Sequence, residues 1–125
     1  MTVAAAIRIT SPDEERVIRH AAEFAQQQGV PCFVISIVDS LPYGSVGEEQ
    51  RQIVARNFEL IGEVCASPVM QEGDDVPKTL LAIACGFGVR TLFLQSGTSP
   101  PLGRSVAEQL LYLDPPFDVV FVSSD

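Results

Sequence analysis

The chain has 125 residues, enough for one domain with one core, and sixteen Asp and Glu against eight Lys and Arg give a formal charge of −8. No basic cluster opposes that field, so neither a nucleic-acid polymer nor an anionic membrane is expected as a partner. The apolar runs are strand-length, no secretory signal pattern opens the sequence, and Cys32, Cys65 and Cys85 sit in apolar contexts without a Cys-x-x-Cys spacing, so a reduced, cytoplasmic protein without a metal centre is expected.

Val3 to Ile9 is apolar apart from Arg8 and reads as the first strand. Ser11 and Pro12, with Glu14 three residues after Ser11, have the spacing of a capping box with proline at the first helical position, so a helix is predicted to begin there. Val17, Ile18, Ala21, Phe24 and Ala25 form its inner stripe and Gly29 its end, which leaves His20 just off the stripe as a surface residue. Pro31 to Val38 is nearly continuous in apolar residues, as an interior parallel strand covered on both faces must be. Asp39 ends that strand, and Ser40 to Gly47, carrying Tyr43, forms a connection long enough to reach over the sheet.

Glu48 to Val64 is the second helix, with Val54, Phe58, Ile61 and Cys65 on one stripe and Ile53, Leu60 and Val64 beside it. Pro68 to Gln71 is a short, polar third strand suited to a sheet edge. Glu72, Asp74 and Asp75 crowd the following loop, where Asp75 ahead of Val76-Pro77 reads as an N-cap rather than as part of an ion cage. Val76, Leu80, Leu81, Ala84 and Phe87 line a third helix closed by Gly86 and Gly88, and Val89 to Leu94 is the fourth strand. Val106, Leu110 and Leu113 mark a last helix stopped by Pro115-Pro116, and Phe117 to Val122 is the last strand. Strands alternating with helix-length crossovers predict an α/β protein with a three-layer, doubly wound parallel sheet of five strands and four helices, spanning 1–125 as a single domain.

The stretch between the fourth strand and the last helix is the first place to look for a ligand. A strand's carboxyl end followed by a helix start gathers unpaired amide N–H groups and the positive end of a helix dipole, which suits a phosphate or carboxylate. Ser96, Gly97, Gly103, Arg104 and Ser105 supply small residues, hydroxyls and a guanidinium there. The alternative is that Gly97 and Gly103 only serve a tight turn and Arg104 pairs with a surface acid.

Several segments, in their order and spacing, resemble the universal stress protein family, and most closely the stress-protein domain of the osmosensing potassium-sensor histidine kinases. They are Ser11 to Ala22, Gly73 to Asp75 leading into Leu80 to Ala84, Val89 to Leu94, and Arg104 to Leu111 before a proline-containing turn and a Val-rich terminal strand. The resemblance implies strand order 3-2-1-4-5, a homodimer, and in the ATP-binding members a nucleotide crevice between strands one and four. Carried onto this chain, that crevice comprises Ile9, Thr10 and Ser11 after strand one, Val38 and Asp39 after strand two, and Ser96, Gly97, Gly103, Arg104 and Ser105 after strand four.

This sequence departs from the ATP-binding pattern in both halves of the crevice. Gln95, Thr98 and Arg104 occupy the places of three glycines, the loop is shortened and carries Pro100-Pro101, and of the phosphate motif only Ser105 matches. A Cβ at such positions keeps phosphates from close approach to backbone amides. Ile9 stands where those members carry an adenine-facing aspartate, with Thr10 where a glycine is usual. The expectation is a noncatalytic regulatory module in stress response, without a cofactor, acting as a homodimer and through a protein partner. The alternative is a nucleotide sensor that binds ATP or a cyclic dinucleotide in a remodelled crevice, although of the serine-containing, aromatic-rich motif of the cyclic-dinucleotide sensors only Phe33 matches. Enzymatic readings are weaker. A phosphoacceptor receiver lacks its acidic groups at Ile9, Thr10 and Gln71 and its lysine at Ser123, and a hydrolytic triad has only His20 to draw on.

Overall fold

The computed structural model describes residues 1–38, 47–73, 75–95 and 106–122. Strands and helices alternate along them: β1 (Thr2–Ile7), α1 (Glu15–Gln28), β2 (Cys32–Val38), α2 (Glu48–Glu63), β3 (Ser67–Glu72), α3 (Val76–Gly86), β4 (Val89–Gln95), α4 (Val106–Tyr112) and β5 (Asp118–Val122). The strands form one sheet in the order β3-β2-β1-β4-β5, and every neighbouring pair is parallel. Parallel neighbours require crossovers, which the helices supply.

Alternation along the strands divides the core into two layers. Val3, Ala5 and Ile7 of β1, Cys32 and Val34 of β2 and Phe93 of β4 face α1 and α2, where Val17, Ile18, Ala21, Leu60 and Ile61 meet them. Ala4, Ile35, Leu92 and Leu94 face the other way, onto Leu80 and Ala84 of α3 and Leu110 of α4. The alanines of the central strand and of α1 let helix and sheet approach closely, while Ile18, Ile35, Ile61, Leu80, Leu92 and Leu110 are fully buried and each contributes about 1.5–3 kcal/mol by leaving water. Phe24 and Phe93 tilt against each other in the first layer with centroids 5.6 Å apart. Among the described residues no helix is long and apolar enough to cross a membrane.

Several local expectations are corrected. The first strand stops at Ile7 rather than Ile9, and α1 begins at Glu15 rather than next to Ser11. The Ser11 hydroxyl accepts the Asp13 N–H at 3.3 Å, while the Ser11 N–H goes back to the Arg8 carbonyl at 3.0 Å. Those local bonds make a turn where a capping box was predicted.

On α2 the inward residues are Asn57, Leu60 and Ile61, whereas Phe58 is 36% exposed. Cys65 leaves the stripe because it adopts a left-handed backbone with φ 60 just past the helix. There the Cys65 N–H bonds the Gly62 carbonyl and the Ala66 N–H bonds the Ile61 carbonyl, the paired bonds of a Schellman turn. Cys65 and Cys85 are therefore exposed thiols, and only Cys32 is a core residue, its thiol pushed up to about 11 by burial. Phe87, expected inside, lies just past the end of α3, exposed on one side and tilted against Phe33 with centroids 4.7 Å apart.

Other features agree with the sequence reading. β3 is an exposed edge strand and carries Pro68, a residue that sheets tolerate at edges. The Asp75 carboxylate caps α3 by accepting the Lys78 N–H at 3.2 Å, and Gly88 takes the positive φ of 67 that turns α3 into β4.

Candidate functional site

With all strands parallel, their carboxyl ends lie along one side of the molecule, the side on which the helices that follow them begin. The connections lead away from β1 in opposite directions, toward β2 and β3 on one flank and β4 and β5 on the other. Doubly wound sheets open at such a reversal, so the gap between the ends of β1 and β4 is the candidate site. A surface hollow of about 460 Å³ lies at the opposite end, lined by Met1, Gly88, Val89, Arg90, Pro116, Phe117 and Asp118. The strand amino ends lie beside helix carboxyl ends rather than the helix amino ends that favour an anion, so the topological site is preferred.

The segment from Arg8 to Glu14 spans the opening. Asn57 holds it from α2, where the side-chain Nδ2 donates to the Ile9 carbonyl at 2.8 Å and to the Ser11 carbonyl at 3.0 Å. Gln95 holds it from β4, with Nε2 donating to the Asp13 carbonyl at 3.1 Å. The Gln95 side chain thus ties the end of β4 to the turn that follows β1.

Of the residues assigned to the crevice from sequence, Ile9, Thr10, Ser11 and Val38 fall within the described structure. Ile9 is 5% exposed and packs in the layer of α1 and α2, so its backbone carbonyl, not its side chain, takes part in the turn. Thr10 is exposed and Ser11 half-buried. Val38 is half-buried at the end of β2, and its carbonyl accepts the Gly73 N–H at 3.2 Å, which ties the end of β2 to the segment after β3. Gly73 is required there, since a Cβ on it would sit 2.5 Å from the Thr79 hydroxyl oxygen. Asp39, Ser96, Gly97, Gly103, Arg104 and Ser105 lie outside the described residues, as does Tyr43 with its loop.

The least expected member of the site is Glu14. It is 4% exposed, and its Oε2 has no hydrogen-bond partner. Burial raises its pKa above the usual 4.5, against the opposing influence of the Arg8 backbone N–H, the Ser11 hydroxyl and the Arg8 charge, and the neighbouring Asp13 carboxylate pushes it further up. Glu14 has the correct spacing for a capping box, and that local rule hid its burial. Asn57 had a usable signal: it lies three residues after Val54 and four before Ile61, an amide set into an apolar stripe, which calls for a buried acceptor.

The architecture defines a doubly wound α/β protein whose strand order reverses between β1 and β4. The sequence matches no protein-family model and no curated protein. Solved structures do match, and they place the chain in the universal stress protein fold. A universal stress protein from Archaeoglobus fulgidus covers 97% of this chain and 97% of its own, with TM-score 0.68 and 21% identity. An A. fulgidus universal stress protein in complex with dAMP aligns over 97% and 96% of the two chains, with TM-score 0.65 and 22% identity. Another, in complex with cAMP, aligns over 98% of each chain, with TM-score 0.70 and 13% identity.

Proposed function

We propose that this chain is a noncatalytic regulatory module of the universal stress protein type, a single cytoplasmic domain over 1–125 that works as a homodimer and through a protein partner, without a bound cofactor. The observation that carries the reading is the end-to-end likeness to universal stress proteins, joined to a crevice in which the Gln95 amide is committed to the Asp13 carbonyl. Nothing among the described groups favours a reaction: His20 is exposed in the middle of α1, and the Cys32 thiol is held protonated by burial. β5 offers the dimer surface. It is an edge strand without proline or lysine, it exposes Val120 and Phe121, and Leu111 and Tyr112 of α4 are also exposed.

The complexes of two fold neighbours with dAMP and cAMP keep a nucleotide sensor as the alternative, with ATP or a cyclic dinucleotide as ligand. One experiment separates the readings: solution mass by light scattering for the wild type and Phe121→Lys, with melting temperature recorded against millimolar ATP, dAMP, cAMP and cyclic di-AMP. A regulatory dimer gives a two-chain mass that Phe121→Lys halves, and no nucleotide moves the melting temperature. A ligand that binds only the native state stabilises by RT ln(1 + [L]/Kd), so a rise of several degrees assigns the sensor instead.

A further inference from the structure

We propose that Glu14 makes the β1–α1 turn a proton-operated latch: with a neutral carboxyl the turn is held closed across the β1/β4 opening, and ionisation of that carboxyl loosens it. The proposal is independent of what the crevice binds and of the oligomeric state.

The geometry supplies the coupling. Glu14 is the residue on which α1 starts, its carbonyl accepting the Ile18 N–H at 3.1 Å. Its side chain is buried, and the Arg8 backbone N–H and the Ser11 hydroxyl of the preceding turn are among the groups that act on its carboxyl. One carboxyl oxygen is left with no partner in a site that is 96% shielded from water, the complement of its 4% exposure. A neutral carboxyl tolerates that position, whereas a carboxylate there lacks the hydration and hydrogen bonds its charge demands. The residues on either side, Asp13 and Glu15, are exposed, so unwinding a few residues is enough to return the carboxylate to water.

Of the described elements that pack on the turn, α2 contributes Asn57 and β4 contributes Gln95, and both are uncharged. The charges that act on Glu14 are Arg8, which favours the ionised form, and Asp13, which opposes it; burial outweighs the help from Arg8. Movement of Glu14 displaces Ser11 and Asp13, whose carbonyls are the acceptors for Asn57 and Gln95. A proton on one side chain is thereby linked to the Asn57 and Gln95 contacts that hold the turn.

The sign is fixed by the direction of the shift. A carboxyl held above its unfolded value of 4.5 stabilises the native state fully below that pH, and the contribution is lost as pH rises through the folded value. The test is a pH titration of the wild-type chain by NMR, following the Glu14 carboxyl carbon and the side-chain amide of Gln95, together with melting curves of wild type and Glu14→Gln from pH 4 to 8. A Glu14 midpoint above 4.5, with the Gln95 amide shifting at the same midpoint and Glu14→Gln gaining melting temperature over wild type as pH rises, is the expected result. A midpoint at or below 4.5, or a Gln95 amide that ignores the Glu14 titration, overturns the latch. The NMR arm decides the question even if Glu14→Gln does not fold.

Discussion

The turn between β1 and α1 is held from α2 by a buried amide and carries at its α1 end a buried carboxyl, and the two are satisfied to different degrees. Asn57 places its Nδ2 on two carbonyls, at 2.8 and 3.0 Å, and each acceptor belongs to a segment that no strand or helix would otherwise pair. Glu14, equally buried, leaves its Oε2 with no partner. An uncharged group loses little by burial once its bonds are made, whereas a charge short of one partner remains a cost that the fold carries. The α2 side therefore fixes the turn in place, and the Glu14 side makes it responsive.

The largest effect is expected from breaking the well-satisfied side. Asn57→Ala removes the donor to both carbonyls and leaves the buried Ile9 acceptor without a partner. The loss is about 2–4 kcal/mol, or roughly 10 °C in melting temperature for a chain of this size. Thermal denaturation checks it, and a loss below about 1 kcal/mol would mean that water replaces the amide at both sites. Ser11→Ala should cost less, about 1 kcal/mol, because the hydroxyl bond it removes, from the Asp13 N–H, is 3.3 Å long and exposed. Its more informative result is electrostatic. The hydroxyl is one of the groups that lower the Glu14 value, so removing it should move the Glu14 midpoint further above 4.5 in the same NMR titration. An unchanged midpoint would show that burial alone governs the carboxyl.

The same turn marks where sequence reasoning stops. The sheet and its two layers were legible because Cys32–Val38 is apolar except at Ser36, because Val89–Leu94 is apolar except at Arg90 and Thr91, and because α1 repeats Val17, Ile18, Ala21 and Ala25 at helical spacing. The turn was not, because what shapes it comes from far along the chain: Asn57 acts across 46 and 48 residues and Gln95 across 82. A local window shows Ser11, Pro12 and Glu14 at capping spacing and cannot register those distant donors. Cys65 failed for a related reason, since the helical stripe extends to it on paper while its left-handed backbone turns the side chain outward. The sequence reading put its candidate site at the ends of β1 and β4, and the structure adds that Gln95 reaches the Asp13 carbonyl.

The smallest change sharpens the comparison most finely. Gln95→Ala deletes one exposed side-chain bond, so the global loss should be about 0.5 kcal/mol, within 2–3 °C of wild type. Its local consequence is larger than that figure suggests. Gln95 is the contact through which β4 holds the turn, and without it Asp13 is free to move while Asn57 keeps Ile9 and Ser11 in place. Amide exchange should therefore quicken at the start of α1, where Ile18 donates to Glu14, and remain slow in β1 and α2. Uniform protection in the variant would show that the Asn57 side fixes the whole turn, Glu14 included, and that β4 has no hold on it.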